Sequence, residues 1–258
     1  MILTNINVEL TSKCNKNCWM CGRRKRERDN PDIEYGDMDF ALVRKIAKET
    51  PYGTVVQLHN NGEPLVYRRF GEAAKLFKHC LTNIVTNGKL LTKKADEVIN
   101  NLVTIAVSVF ENDEEADEQY DILEKFLSIK GNKSPNVILR INGDVDTERY
   151  DKFGLQYARR TLHDPMGSFD YRKKPTVPEV GVCLDMLHHL AIDRFGNVSI
   201  CVRFDPDGLG VLGNINDNTL ADLWRSEKRK QWLLKHVCGQ REMVPLCSNC
   251  EFWGVPTW

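Results

Sequence analysis

The densest chemistry in the chain is Cys14-Asn-Lys-Asn-Cys18-Trp-Met-Cys21, three thiols spaced by three and then two residues. Three thiolates do not complete a tetrahedral four-ligand zinc site. They can hold three irons of a four-iron cluster and leave the fourth iron open to bind and reduce a small molecule. A second group lies late in the chain: Cys183, Cys201, Cys247 and Cys250. Four thiolates complete the protein ligation of a four-iron cluster, although a Cys-x-x-Cys pair with two distant cysteines is also a zinc pattern. Cys80 and Cys238 are left over. Cys80 falls at the end of a helical pattern and reads as an inert core thiol. Cys238, nine residues before Cys247, could replace one of the four ligands.

These groups need elements to position them. Ile6 to Leu10 reads as a strand feeding the first cysteine loop. Phe40, Leu42, Val43, Ile46 and Ala47 recur at helical spacing, with Asp37 or Asp39 as N-cap. Further strands follow at Thr54–Leu58, Thr82–Thr86, Leu102–Val109 and Asn136–Ile141. Between them lie helical patterns carrying Tyr67, Phe70, Ala73, Ala74 and Phe77, then Thr92 to Asn100, then Ile122, Leu123, Phe126 and Leu127. A last helix is expected around Glu148 to Arg160. Leu102–Val109 is almost continuously apolar, as in a strand of a parallel sheet covered on both faces. Alternating strands and helices with short links give an α/β fold built of βαβ units. Residues 1–162 are too few for a complete eight-unit barrel, which takes ~250. An open, partial TIM-like (β/α)5-6 barrel is therefore expected there.

Chemistry in such sheets gathers at the carboxyl ends of the strands. The cysteine loop, His59-Asn-Asn-Gly-Glu63, Thr86-Asn-Gly88, Ser108 and Arg140 all fall at those ends. In Gly62-Glu63-Pro64 the carboxylate suits a cationic ammonium, and the glycine lets the backbone approach closely. Taken alone, that segment reads as a turn with a solvated glutamate. Arg140 suits a carboxylate in a bidentate pair, or a salt bridge at the rim. His59 and Asn60, beside Glu63, could face a substrate. Asp144 and Glu148 read as the N-cap and first-turn acid of the following helix. The run Arg23-Arg-Lys-Arg-Glu-Arg28 reads as a solvated face, with a phosphate- or carboxylate-binding patch as the sharper alternative.

Residues 163–181, with three prolines and two glycines, read as a linker. Residues 182–258 then form a smaller α+β unit. Its hairpin runs from His189 to Val202 and turns at Arg194 to Asn197. Its helix runs from Thr219 to about Val237, with Leu220, Leu223, Trp224, Leu233 and Val237 inward.

Lys and Arg total 36, and so do Asp and Glu, so no global charge draws the chain to nucleic acid or an anionic membrane. No apolar run approaches the ~20 residues of a membrane span, and the first residues lack the pattern of a signal peptide. Nine cysteines on that background point to metal or redox groups in a cytoplasmic protein rather than to disulfides.

Taken together, the motifs resemble those of radical S-adenosylmethionine (radical SAM) enzymes. Cys14, Cys18 and Cys21 match the family's CxxxCxxC, with Trp19 and Met20 where an aromatic usually precedes the third cysteine. Asn61-Gly-Glu-Pro64 is similar to the Gly-Gly-Glu-Pro segment that binds the amino group of SAM. Ile192-Asp-Arg-Phe-Gly-Asn-Val-Ser-Ile-Cys201, Leu212-Gly-Asn-Ile215, Thr219 to Ser226 and Cys247-Ser-Asn-Cys250 resemble the SPASM/twitch extension. The resemblance implies a SAM-binding [4Fe-4S] cluster on Cys14, Cys18 and Cys21, and an auxiliary [4Fe-4S] cluster on Cys183, Cys201, Cys247 and Cys250. It implies a cradle for SAM of Met20, Gly62, Glu63, Thr86, Ser108 and Arg140. It implies a 5′-deoxyadenosyl radical that abstracts hydrogen from an unactivated C–H bond. An external donor such as flavodoxin or ferredoxin would supply the electron. The small size of the chain favours dehydrogenation of a small sugar- or aminocyclitol-like substrate, with the auxiliary cluster accepting an electron. Maturation or epimerisation of a ribosomally made peptide is the alternative, with Cys238 as a hydrogen-atom donor. A non-catalytic iron–sulfur or zinc-binding protein is the reading outside enzymes.

Overall fold

The structure is a computed structural model that describes residues 3–160, 162, 182–202 and 205–250. Its frame is a single sheet of nine strands, with six in chain order: β1 (Asn5–Val8), β2 (Val55–Gln57), β3 (Leu81–Thr86), β4 (Thr104–Phe110), β5 (Asn136–Asn142) and β6 (Gln156–Arg160). Each pairs in parallel with the next. Parallel pairing requires crossovers. These run through α2 (Phe40–Glu49), α3 (Phe70–Leu76), α4 (Ala95–Val98), α5 (Ala116–Lys130) and, before β6, a 3₁₀ segment Glu148–Phe153. A short α1 (Arg23–Asp29) follows the first cysteine loop. This is the open, partial barrel expected from the sequence.

Local chemistry explains the boundaries. Asp39 caps α2, its Oδ1 accepting from Ala41 N at 2.6 Å, and Leu42, Val43, Ile46 and Ala47 are buried against the sheet. The core beneath the rim joins Ile6, Val8, Val56, Ile84, Ile105, Val107 and Leu139 from successive strands with Phe70, Phe77 and Phe126 from the helices.

Three expectations are corrected. The helix expected over Glu148–Arg160 is a short 3₁₀ segment ended by Gly154 in the left-handed region (φ 62°), after which Gln156–Arg160 adds β6 at the sheet edge. The helix expected near Thr92–Asn100 shrinks to α4, with turns before it. The long helix expected after Thr219 is two: α7 (Leu220–Arg225) and α8 (Glu227–Val237). Ser226 breaks them, with extended ψ and a side chain that accepts from Arg229 N. The break resets the helical phase. Leu220, Leu223 and Trp224 stay buried, but Val237 is 61% exposed.

The expected linker, 163–181, lies outside the described residues. After it come α6 (Leu184–His188), β7 (His189–Ile192), β8 (Asn197–Ser199) and β9 (Val211–Asn214). The hairpin β7–β8 is antiparallel, as expected. Its base does not stand apart from the barrel: β7 pairs in parallel with β1, so the same sheet runs on through β8 and β9.

Candidate active site and cluster sites

Because β1 to β5 are parallel, the loops after them meet at one rim. There a cleft of about 300 Å³ is lined by Cys14, Cys18, Met20, Cys21, Arg23, His59, Gly62, Glu63, Thr86, Asn87, Ser108, Arg140 and Asn142, among others. All six residues expected to cradle SAM and all three early cysteines therefore line one space. Strand register explains part of this. Thr86 pairs with Val107, one residue before Ser108, and Ser108 is opposite Arg140.

Gly62 is there for close approach. A Cβ at this position would lie 2.1 Å from Thr11 O and 2.7 Å from Lys13 O. Glu63 N donates to Lys13 O at 2.8 Å, which locks the segment after β2 onto the start of the cysteine loop. Glu63 is not a solvated turn residue: it is 3% exposed. Its carboxylate accepts from Thr86 Oγ1 at 2.8 Å, Asn87 N at 2.8 Å and Leu65 N at 3.1 Å. Burial outweighs these donors and raises its pKa from 4.5 to about 7. A ligand ammonium would relieve that cost. Asn61, where the resembling motif has glycine, donates through N and Nδ2 to the buried Glu9 carboxylate, at 3.3 and 3.0 Å.

His59 accepts from Val85 N through Nδ1 at 3.1 Å. Burial, with Arg140 nearby, depresses its pKa to about 3, so it is a neutral imidazole with its proton on Nε2. The basic run is only partly solvated. Arg23 is buried, stacked over the Tyr35 ring at 3.9 Å, and lines the cleft, whereas Arg28 projects outward. Asp144 and Glu148 do not line it. The N-cap of the 3₁₀ segment is Thr147, not Asp144, and Glu148 N donates to Asp146 Oδ1 at 3.0 Å.

Other residues of the site carried no local signal in the sequence. Lys16, inside the cysteine loop, is buried and donates to both oxygens of Asp113 at 2.7 Å; Glu115 is 3.1 Å away. Asn87 donates through Nδ2 to Cys14 Sγ at 3.8 Å and to Asn15 Oδ1 at 2.9 Å. Gln119, 2% exposed on α5, clamps the ends of β3 and β4 by donating to Asn87 O at 2.6 Å and Ser108 O at 2.8 Å. Lys16 and Asn87 lay in segments the strand-end argument had marked, the cysteine loop and Thr86-Asn-Gly88, but nothing singled them out there; Asp113 and Gln119 lay in none.

The late cysteines also converge. The charges of Cys183, Cys201 and Cys250 all reach Cys247, and burial first, then these neighbours, pushes its thiol pKa far up. Cys183, Cys201 and Cys247 pack on Met186, Ile200, Val244 and Leu246. Cys183 N donates to His236 Nδ1 at 3.4 Å, and Arg241 Nη1 donates to Cys250 O at 2.6 Å. Cys238 is exposed at the C-terminal end of α8 and is not among the residues lining the cleft. Cys80 is buried in the main core.

The donor sets fit iron–sulfur clusters. The charges of Cys21 and Cys14 both reach Cys18, as those of Cys183, Cys201 and Cys250 reach Cys247. In a four-iron cluster each thiolate binds its own iron, so three or four neighbouring thiols suit it. The Gly62 cradle and the buried Glu63 would suit an amino-acid ligand in the cleft that the first set also lines. Among the described residues, no helix is long and apolar enough to cross a membrane.

Comparison with known proteins agrees with this geometry. Residues 183–251 match the SPASM iron–sulfur cluster-binding domain. The chain is 22% identical, over 99% of its length and 96% of the relative's, to an S-adenosyl-L-methionine-dependent 2-deoxy-scyllo-inosamine dehydrogenase of Niallia circulans. It is 35% identical, over 40% of its length and 28% of the relative's, to a tungsten-containing aldehyde ferredoxin oxidoreductase cofactor-modifying protein of Pyrococcus furiosus. In fold it is similar to BtrN in complex with AdoMet and 2-DOIA (TM-score 0.68, 19% identity, 97% of this chain and 93% of that one). It is also similar to anSMEcpe with bound AdoMet (TM-score 0.65, 15% identity, 95% and 88%). A domain match over the last third, a relative along nearly the whole length and a shared fold point one way: the chain carries a C-terminal SPASM iron–sulfur cluster-binding domain and is similar, over both its cysteine groups, to enzymes that depend on S-adenosylmethionine.

Proposed function

We propose that the enzyme oxidises a small, polar, aminocyclitol-like substrate by two electrons. The observation that carries this reading is the similarity to the Niallia circulans dehydrogenase along the whole chain, which spans both cysteine groups. In this reading Cys14, Cys18 and Cys21 each hold one iron of the first cluster, and Cys183, Cys201, Cys247 and Cys250 hold the second. When bound and reduced by one electron from an external donor, SAM and the first cluster supply a hydrogen-abstracting 5′-deoxyadenosyl radical.

The residues of the chain position and exclude. Glu63 binds the SAM ammonium, with Thr86 and Asn87 N holding its carboxylate in place. Arg140 binds the SAM carboxylate, and Ser108 and Thr86 lie where the ribose would rest. Met20 covers the cleft beside Cys18 and Cys21. His59, neutral and held by Val85 N, presents an N–H without adding charge. The late cysteines hold an acceptor for the second substrate electron. Cys238, exposed on α8, has no part in hydrogen return.

The test is anaerobic incubation of the iron-loaded enzyme with SAM, dithionite and 2-deoxy-scyllo-inosamine. The expected products are 5′-deoxyadenosine and a ketone in equal amounts, unchanged in Cys238→Ala. 5′-Deoxyadenosine without any carbonyl product from aminocyclitols would defeat the substrate class. Deuterium uptake from solvent into an unoxidised substrate would favour epimerisation instead.

A further inference from the structure

Asn87 touches both halves of the site. Its backbone N–H donates to Glu63 Oε2 at 2.8 Å, and its side-chain Nδ2 donates to Cys14 Sγ at 3.8 Å. The amide orientation follows from its partners. Its Oδ1 accepts from Lys89 N at 3.0 Å, and a backbone N–H can only donate, so the NH₂ group is the one that faces Cys14. Nδ2 also donates to Asn15 Oδ1 at 2.9 Å, so both its hydrogens are directed. The backbone is held as firmly. Gln119 Nε2 donates to Asn87 O at 2.6 Å, and Gly88 turns the chain at φ +83°, where a side chain would be strained. Asn87 itself is 8% exposed.

We propose that Asn87 is a positioning residue for the first cluster: its amide hydrogen-bonds the sulfur of Cys14 and makes that cluster easier to reduce, while its backbone N–H fixes the SAM-binding carboxylate. The inference rests on the ligand assignment made under Proposed function. Hydrogen bonds to ligand sulfurs are among the levers that set cluster potentials. An N–H donor draws electron density from a thiolate, and this stabilises the reduced form, which carries one more negative charge. The same short segment thereby serves both the electron's arrival and the ligand that receives it.

Asn87→Ala removes the N–H···S contact and keeps the backbone N–H to Glu63. Asn87→Asp keeps the shape and the acceptor for Lys89 N, but places a carboxylate beside Cys14. In the full-length, anaerobically iron-loaded protein, the reading is the midpoint potential of the electron paramagnetic resonance signal that changes on adding SAM, together with iron per chain. Asn87→Ala is expected to keep its iron and its SAM affinity within twofold. Its reduction equilibrium should become about tenfold less favourable, ~59 mV for a one-electron couple. Asn87→Asp should fall further. Thr86→Val, which loosens Glu63 without touching Cys14, should weaken SAM binding and leave the potential in place.

Iron-replete variants with the parent's potential would overturn the inference. So would loss of iron from both Asn87 variants, because the residue would then act in cluster assembly and not in its poise. A parent protein with no SAM-responsive signal would overturn the ligand assignment itself. A responsive parent with unmoved variants would overturn this inference alone.

Discussion

Glu63 is the residue on which the SAM reading turns. Burial raises its pKa from 4.5 to about 7 although three donors favour the anion. Between those two values the unfolded chain is ionised while the folded one holds the proton, so this group makes the fold less stable as pH rises. Ligand binding runs the other way, because an ammonium needs the carboxylate. The SAM dissociation constant should therefore fall several-fold from pH 6 to pH 7.5, and become flat over that range in Glu63→Gln. Isothermal titration with the iron-loaded protein checks this, and an unchanged slope in Glu63→Gln would remove Glu63 from the ammonium. At this scale the sequence was legible wherever partners are close along the chain, as in the cysteine spacing and Gly62-Glu63-Pro64. It was silent where they are far apart. Asn87 and Cys14 are separated by 73 positions, and Lys16 and Asp113 by 97. No periodicity encodes such pairs; only the parallel stacking of strand ends brings them together.

Among the elements, the loop that carries the early cysteines has little secondary structure to hold it. Its anchors are Glu63 N on Lys13 O and the buried pair of Lys16 with Asp113, which fastens the loop to the segment between β4 and α5. Removing one member of a buried pair leaves the other charged and unpaired, at a cost of about 3–5 kcal/mol. Lys16→Ala should lower the stability of the metal-free chain by that order in chemical unfolding. Lys16→Met with Asp113→Asn should recover most of it. A loss in Lys16→Ala below about 1 kcal/mol would mean that the pair does not fix the loop. Strand and helix alternation up to β5 could be read from apolar patterning because each strand is covered by a neighbour. The β6 segment could not, since an edge strand with Gln156, Arg159 and Arg160 carries little apolar signal. The break at Ser226 was hidden for another reason: the apolar spacing of Leu220, Leu223 and Trp224 continues plausibly into Leu233 and Val237, and only the cap geometry separates α7 from α8.

For the whole molecule, the continuous sheet matters most. β1 leads into the first cysteine loop and lies between β2 and β7, so the strand that precedes the early cysteines is hydrogen-bonded to the first strand after Cys183. A partial barrel and a smaller α+β unit after a linker were expected; the sheet of the first runs on without a break into the strands of the second. A fragment ending at residue 162 would leave the backbone of Asn5–Val8 as an open edge and uncover Ile6 and Val8 beside it. It should aggregate, or melt well below the full chain, in light scattering and thermal unfolding. A monomeric fragment as stable as the whole would show that the barrel does not need β7. The central claim, that this chain cleaves SAM at a cluster on Cys14, Cys18 and Cys21 while holding a second cluster, has one direct measurement. Anaerobically prepared protein is analysed for bound metal and then incubated with SAM and dithionite, beside a Cys14→Ala variant. The account predicts about eight irons per chain, with 5′-deoxyadenosine formed by the parent and none by Cys14→Ala. A colourless, zinc-loaded protein that leaves SAM intact would contradict it.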